Sequence, residues 1–326
     1  MRIAVASHAT IDHIVRTMCK SLDTDRSGDD GMGGSCSEVM KDEEEVITVG
    51  GPVCYAGLMV SRVCDSMIPV TRVGFDFKGY ADMLSNRYGM SIPLRAFCDL
   101  PTTRFRLVIR MDGTRQSRSL YLLARCADIT QDMLGDQEGF DACIVSPVVD
   151  ELDIDAIMAL AKRSNFTFLD PQGLLRRIDS IDGHVSLRST DLDPSRLRMD
   201  AIKVDLDEAY ALTGMHGLDS LHRLSKYSDT VVLSMDNRVF MYNNGRVYEL
   251  TTDIIASRDS TGAGDIFAGA YTSAYMSSRD AVWALAYGVA AAYIALSSGR
   301  IGLDKVPNSK RDVEYHAYTL LERVKH

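Results

Sequence analysis

Six short runs rich in apolar and β-branched residues recur along the chain with helical patterns between them: RIAVA from Arg2, IPVTRV from Ile68, DACIVS from Asp141, FTFLD from Phe166, AIKV from Ala201 and TVVLS from Thr230. Strands that are apolar along their length need cover on both faces. Strands separated by helices are joined by crossovers, so the spacing predicts a mostly parallel sheet between two helical layers. Helices are expected to begin after Gly51, at Gly79, near Asp150, at Asp205, at Gly264, at Arg279 and near Ser309. With 46% hydrophobic and 25% charged residues among 326, the chain has apolar material for a large core, in one α/β domain or two smaller ones.

Two regions interrupt the alternation. Phe105 to Ile109, a turn at Met111-Asp112-Gly113-Thr114, and Ser117 to Leu122 read as a β-hairpin projecting from the layered core as a small lid. Lys20 to Glu45 is polar, glycine-rich and acidic at its end, the composition of a mobile insertion near the same edge. Within it, DTDRSG from Asp23 imitates the opening of a calcium loop. Its twelfth position is Gly34 where a bidentate Glu is required, so a solvated loop is expected.

Charge and cysteine usage narrow the partners. A net charge of -9 lacks the basic footprint that phosphate-backbone binding needs, so small molecules rather than nucleic acid are expected. Seven scattered cysteines without a CxxC pair, behind an N-terminus lacking a signal-type apolar run, read as reduced thiols in the cytoplasm. Ala281 to Gly299 is uncharged and approaches bilayer-spanning length, but its Ala, Gly, Ser and Tyr content fits a core helix better, and no membrane association is expected. No His, Cys or carboxylate cluster has the ligand spacing of a metal-dependent hydrolase.

The chemistry concentrates in DSTGAGDIFAGAY, Asp259 to Tyr271. A helix start leaves amides unpaired and attracts anions, and glycines there let backbone approach a phosphate closely. A carboxylate would repel that phosphate. Its presence is explained if Asp265 takes the proton of a hydroxyl whose oxygen attacks phosphorus, while the amides of Ala263, Gly264 and Asp265 hold the developing charge. The alternative is an Asp that only caps a helix.

Asp259-Ser260-Thr261-Gly262-Ala263-Gly264-Asp265 closely resembles the D-T-x-G-A-G-D signature of the ribokinase-like, or PfkB, carbohydrate kinases, with Ser260 for the usual Thr. The resemblance extends over nearly the whole chain. It implies one α/β/α sandwich domain over residues 1–326, with a β lid from about 13–50 and 96–125. It makes Asp265 the catalytic base and Gly262, Ala263 and Gly264 the anion hole. ATP binding is implied for Ser234, Asp259, Thr261, Gly262 and Gly264.

Further segments match in part. The strand RIAVA leads to Asp12, where the family grips substrate hydroxyls; an Asp in a surface turn is the alternative. Gly50-Gly51-Pro52-Val53-Cys54-Tyr55 resembles G-G-x-x-x-N, with Tyr55 in place of the Asn, so Gly50, Gly51 and Tyr55 join the expected substrate site. VGFDFKG resembles V-G-x-D-x-x-G, which adds Asp76, with helix capping as the other reading; Arg104 at the lid's base is a further candidate. KVDLDE stands for K-P-N-x-x-E, implying Mg2+ held by Asp205 and Glu208 largely through water, although a capping box fits equally well. Asp170-Pro171-Gln172-Gly173 follows FTFLD at a strand's carboxyl end, where open sheets gather ligands.

The family's frequent monovalent cation would place Asp259 on K+, and its frequent lid-mediated pairing implies a homodimer. The ASHATID and VGFDF strings and Tyr55 look more like members that phosphorylate inositol or related polyols. The expected acceptor is therefore a sugar or polyol such as myo-inositol. A nucleoside stacked on Phe105 and Tyr121 is the second reading. A non-catalytic sugar- or nucleotide-binding regulator is a third, motivated by Tyr55, Asp205 and Asp236.

Overall fold

The computed structural model describes residues 1–19, 41–64, 66–112, 115–134, 139–189, 198–255, 257 and 259–326. The calcium-like string at Asp23, most of the polar insertion and the tip of the lid hairpin at Gly113-Thr114 lie outside these residues. All six predicted runs contribute strands to one eight-stranded sheet. Its order is Arg246–Thr251, Arg238–Asn243, Ser228–Met235, Met199–Asp205, Thr167–Leu169, Ala142–Val145, Arg2–Ala6 and Ser66–Val70. From Ser228–Met235 to Ser66–Val70 every pairing is parallel. The first two strands form an antiparallel hairpin on the edge. The IPVTRV run splits, since Val73–Gly74 leaves this sheet to pair with Phe97–Cys98.

Side-chain alternation divides the core into two layers, as a sheet with two covered faces requires. Ile3, Val5, Ile144 and Phe168 pack with the helices Pro52–Val63, Ala263–Ser278, Ala281–Ser297 and Lys310–Leu321. Ala4, Ala6, Cys143, Val145 and Val204 pack with Ile154–Lys162, Leu206–Thr213 and Gly217–Leu224. Phe168 is fully buried and meets Phe267 and Tyr271 at ring-centroid distances of 6.5 and 5.6 Å. Burial of each such side chain stabilises the fold by roughly 1.5–3 kcal/mol. The uncharged Ala281–Ser297 segment is a core helix capped by Asp280, whose side chain accepts from Val282 and Trp283 amides. Among the described residues no helix is long and apolar enough to cross a membrane.

The lid is a four-stranded sheet in the order Lys41–Gly50, Thr10–Cys19, Arg104–Asp112 and Arg115–Ala124. The predicted hairpin supplies two strands and Thr10–Cys19 and Lys41–Gly50 the others, so residues 41–45, expected at the acidic end of the mobile insertion, belong instead to a lid strand held by its ladder with Thr10–Cys19. Thr10–Cys19 runs parallel to Arg104–Asp112, so Asp12 stands opposite Phe105, and across the antiparallel partner it stands opposite Thr48. This register carries lid side chains over the carboxyl ends of the main strands.

Candidate active site

The Asp259 loop enters its helix through Gly262, the N-cap of Ala263–Ser278, whose φ of 74° lies in the left-handed region. A Cβ there would also strike the Tyr55 ring. Glycine is therefore required twice, by backbone conformation and by close approach. The Ile266 amide closes the first turn on the Gly262 carbonyl at 2.9 Å, and Ala263 makes a longer 3.3 Å bond to the Ser260 carbonyl. Gly264 and Asp265 carry the remaining first-turn amides, the group of donors a helix start leaves for an anion.

Asp265 faces a cavity of about 380 Å³ bounded by the main sheet, the lid and this loop. Its carboxyl is pushed up to about 7, first by burial and then by the neighbouring Asp170 charge, against the pull of Lys203 and Arg176. Asp12, from the first lid strand, lines the same cavity. It accepts from the Thr10 hydroxyl at 2.8 Å, and burial pushes it up to about 6. Gly50 lies against it, and a side chain at Gly50 would take the space of the Asp12 carboxylate.

The strand ends contribute a charged floor. Lys203 Nζ lies 2.9 Å from Asp170 Oδ2. A Cβ on Gly264 would come within 2.9 Å of the same ammonium, so Lys203 stands directly against the helix start. Burial opposes its charge, but Asp170 and Glu208 more than compensate and keep it protonated. Asp205 and Glu208 form the capping box of Leu206–Thr213, with Glu208 N donating to Asp205 Oδ1 at 2.8 Å and Asp205 N to Glu208 Oε2 at 2.9 Å. The capping box is therefore formed, and both residues also line the cavity. Glu208 is pushed up to about 7, chiefly by burial.

A second cavity of about 700 Å³ lies on the other side of Lys203, Asp205 and Gly264, which line both. Its wall is largely apolar, with Val232, Val239, Ile254, Phe267, Val289 and Leu296, and Ser234 lies on its rim beside Asp236 and Asn237. The Ser234 hydroxyl donates to the Val204 carbonyl at 3.4 Å.

The site thus gathers Asp265, Gly262, Gly264, Thr261, Asp12, Gly51, Asp205 and Glu208 around the smaller cavity, and Ala263 and Ser234 around the larger one. Tyr55 is wholly buried beneath Gly262, and its ring contributes to the lining of the smaller cavity. Other expected residues are placed differently. Asp76 and Arg104 pair with each other at 2.7 Å, Asp76 also accepts from Thr102, and neither lines a described cavity. Asp259 is buried away from both cavities and bound to Lys305 at 2.9 Å. Burial opposes its ionisation, but Lys305 and the Gly302 and Thr261 amides hold it below the usual carboxylate range.

Sequence reasoning assigned no role to Lys203, Arg176 or Arg118, all on the smaller cavity. Lys203 carried a signal: a lysine inside the apolar run AIKV must have a buried partner. Arg176 carried none, since only the fold lays its guanidinium 5.7 Å over Phe105 and within 2.9 Å of Gln172 Oε1.

Residues 185–307 match the family described as pfkB family carbohydrate kinase. No curated protein matches the sequence. Among solved structures, a pyrophosphate-dependent kinase of the ribokinase family in complex with sulfate superposes with a TM-score of 0.74 at 19% identity, covering 97% of this chain and 99% of that one. A pyrophosphate-dependent kinase of that family bound to a pyrophosphate analogue and myo-inositol gives 0.72 at 19% identity, over 97% and 99%. The Arabidopsis thaliana ribokinase complexed with ribose and ATP gives 0.66 at 15% identity, over 97% and 98%. The fold is that of the ribokinases.

Proposed function

We infer that the chain is a ribokinase-fold carbohydrate kinase of the pfkB type, a phosphotransferase whose acceptor is an alcohol. The proposed reaction moves the γ-phosphoryl of ATP to a hydroxyl of a sugar or polyol such as myo-inositol. One observation carries this reading. Two cavities of different chemistry share Lys203, Asp205 and Gly264, so a donor in one and an acceptor in the other meet beside Asp265.

The larger cavity suits a nucleoside triphosphate, because its apolar wall can bury a base that pyrophosphate lacks. In the smaller cavity Asp12 accepts hydrogen bonds from two acceptor hydroxyls, while Arg118, Gln172 and Arg176 supply donors. Asp265 removes the proton of the attacking hydroxyl, and an acidity near 7 suits a base working at neutral pH. Lys203 and the amides of Gly264 and Asp265 neutralise charge on the phosphoryl group in flight.

Among the described residues no three His, Cys, Asp or Glu side chains converge as a metal centre. Mg2+ commonly takes one or two carboxylates and completes its shell with phosphate oxygens and water, which Asp205 and Glu208 fit. When bound, the ion would screen the donor phosphates.

A nucleoside acceptor is less well served. Arg176 covers a face of Phe105, and Tyr121 packs on His184 at 5.3 Å, away from the residues that line the cavity. The test is phosphorylation of myo-inositol, fructose, ribose, ketodeoxygluconate, cytidine and adenosine with ATP and with pyrophosphate as donors. Turnover confined to the nucleosides refutes the polyol reading, and absence of turnover with every pair favours the non-catalytic binding protein.

A further inference from the structure

Resemblance to the kinases implied a potassium-type ion on Asp259. The oxygens that such an ion would use are already taken. Lys305 Nζ lies 2.9 Å from Asp259 Oδ2 and 3.1 Å from the Asp259 main-chain carbonyl oxygen. The Tyr55 ring centroid is 5.1 Å from the same ammonium. Both side chains of the pair are at 0% exposure. An ion added to these oxygens would stand against a buried like charge, which a dry site penalises strongly. The residues present therefore do not fit a separate monovalent cation.

We propose that Lys305 is a built-in monovalent cation, its ammonium replacing a diffusible ion beside the anion-hole loop and making the enzyme independent of potassium. An ammonium has three donors. Here two Asp259 oxygens and the π face of Tyr55 surround it. Its connections run directly to the phosphoryl-binding turn. The other Asp259 oxygen accepts from the Thr261 amide at 3.0 Å, and the Tyr55 ring lies under Gly262. The turn Gly302–Lys305 delivers both clamps, since the Gly302 amide also donates to Asp259 Oδ2 at 3.0 Å. Lys305 lines neither cavity and acts through the loop, which makes it a positioning residue. This role deepens the kinase reading and rests on it for the effect on turnover; the cation chemistry stands apart from it.

The test compares the full-length wild type, Lys305→Ala and Lys305→Met in choline chloride, KCl and NH4Cl at one ionic strength. Wild-type melting temperature and turnover are expected to be the same in all three salts. Lys305→Ala is expected to lose about 100-fold in turnover in choline chloride. KCl or NH4Cl should restore about tenfold of it and raise the melting temperature in a dose-dependent way, as a ligand of the native state does. Lys305→Met fills the space with an uncharged chain and should respond to neither salt.

A wild type that requires K+ overturns the proposal. So does a folded Lys305→Ala whose melting ignores every monovalent cation, or a Met variant that responds as the Ala variant does. If Lys305→Ala does not fold in choline chloride, refolding yield decides: dependence on KCl or NH4Cl supports the built-in cation, and indifference overturns it. Melting curves need no acceptor, so an incorrect kinase reading would appear as absent turnover with the salt response intact.

Discussion

Asp265→Asn is expected to remove activity and stabilise the protein, with a pH signature. The carboxyl is ionised above 3.8 in the unfolded chain and above about 7 in the folded one. Between these values the folded state binds the proton more tightly, so its stability falls as pH rises through the window and stays lowered above it. The full interval corresponds to about 4 kcal/mol at about 1.4 kcal/mol per pH unit. At about pH 5 less than half of that cost has accrued, whereas at about pH 8 it is complete. Asn imitates the neutral acid and escapes the titration. The stability advantage of Asp265→Asn over wild type should therefore grow by about 2–3 kcal/mol from pH 5 to pH 8, measured by urea unfolding.

Comparing the two pH values cancels any packing difference between the side chains, because that difference is present at both. Turnover of the same variant should fall by about 10²–10⁴ while ATP binding survives, since the shape is kept and the proton acceptor is lost. Wild-type kcat/KM should rise across neutral pH as Asp265 loses its proton. A stability gap that is equal at both pH values, or turnover that the substitution leaves intact, would refute the assignment of a buried base that holds its proton up to neutral pH.

Further outcomes follow from the shared floor and the two cavities. Lys203→Met leaves Asp170 buried without its partner and should cost about 3–5 kcal/mol of stability. Adding Asp170→Asn should recover stability in thermal unfolding without recovering turnover, which separates the ion pair from phosphoryl stabilisation. Glu208→Gln keeps the helix cap but removes a charge; the Mg2+ concentration for half-maximal rate should rise several-fold with no loss of melting temperature. Ala292→Trp fills the larger cavity and should raise the KM for ATP by about tenfold or more. A pyrophosphate-driven rate, if present, should be unaffected by it, and equal effects on both donors would contradict a base-binding role for that wall.

Local patterning determined much of this protein. The six apolar runs, the helix starts and the lid hairpin are written in period, caps and turns, because each depends on neighbours a few residues away. The edge hairpin Arg238–Asn243 and Arg246–Thr251 was not among the runs read from the sequence, although its Asn244-Gly245 turn, in which both residues have positive φ, is a local signal of the same kind. The glycine-rich loop and its carboxylate, Asp259 to Asp265, were equally local, as glycines and an Asp at a helix start act within one turn. Tertiary structure alone decided which charges meet. Lys203 finds Asp170 across 33 positions, and Lys305 finds Asp259 across 46. The replacement of Asn by Tyr55 acquired its meaning only when the fold placed that ring against both Gly262 and the Lys305 ammonium. The physical reason is desolvation: a buried charge must find a counter-charge, but spacing along the chain carries no information about a partner that only the crossovers of the sheet bring within hydrogen-bond reach.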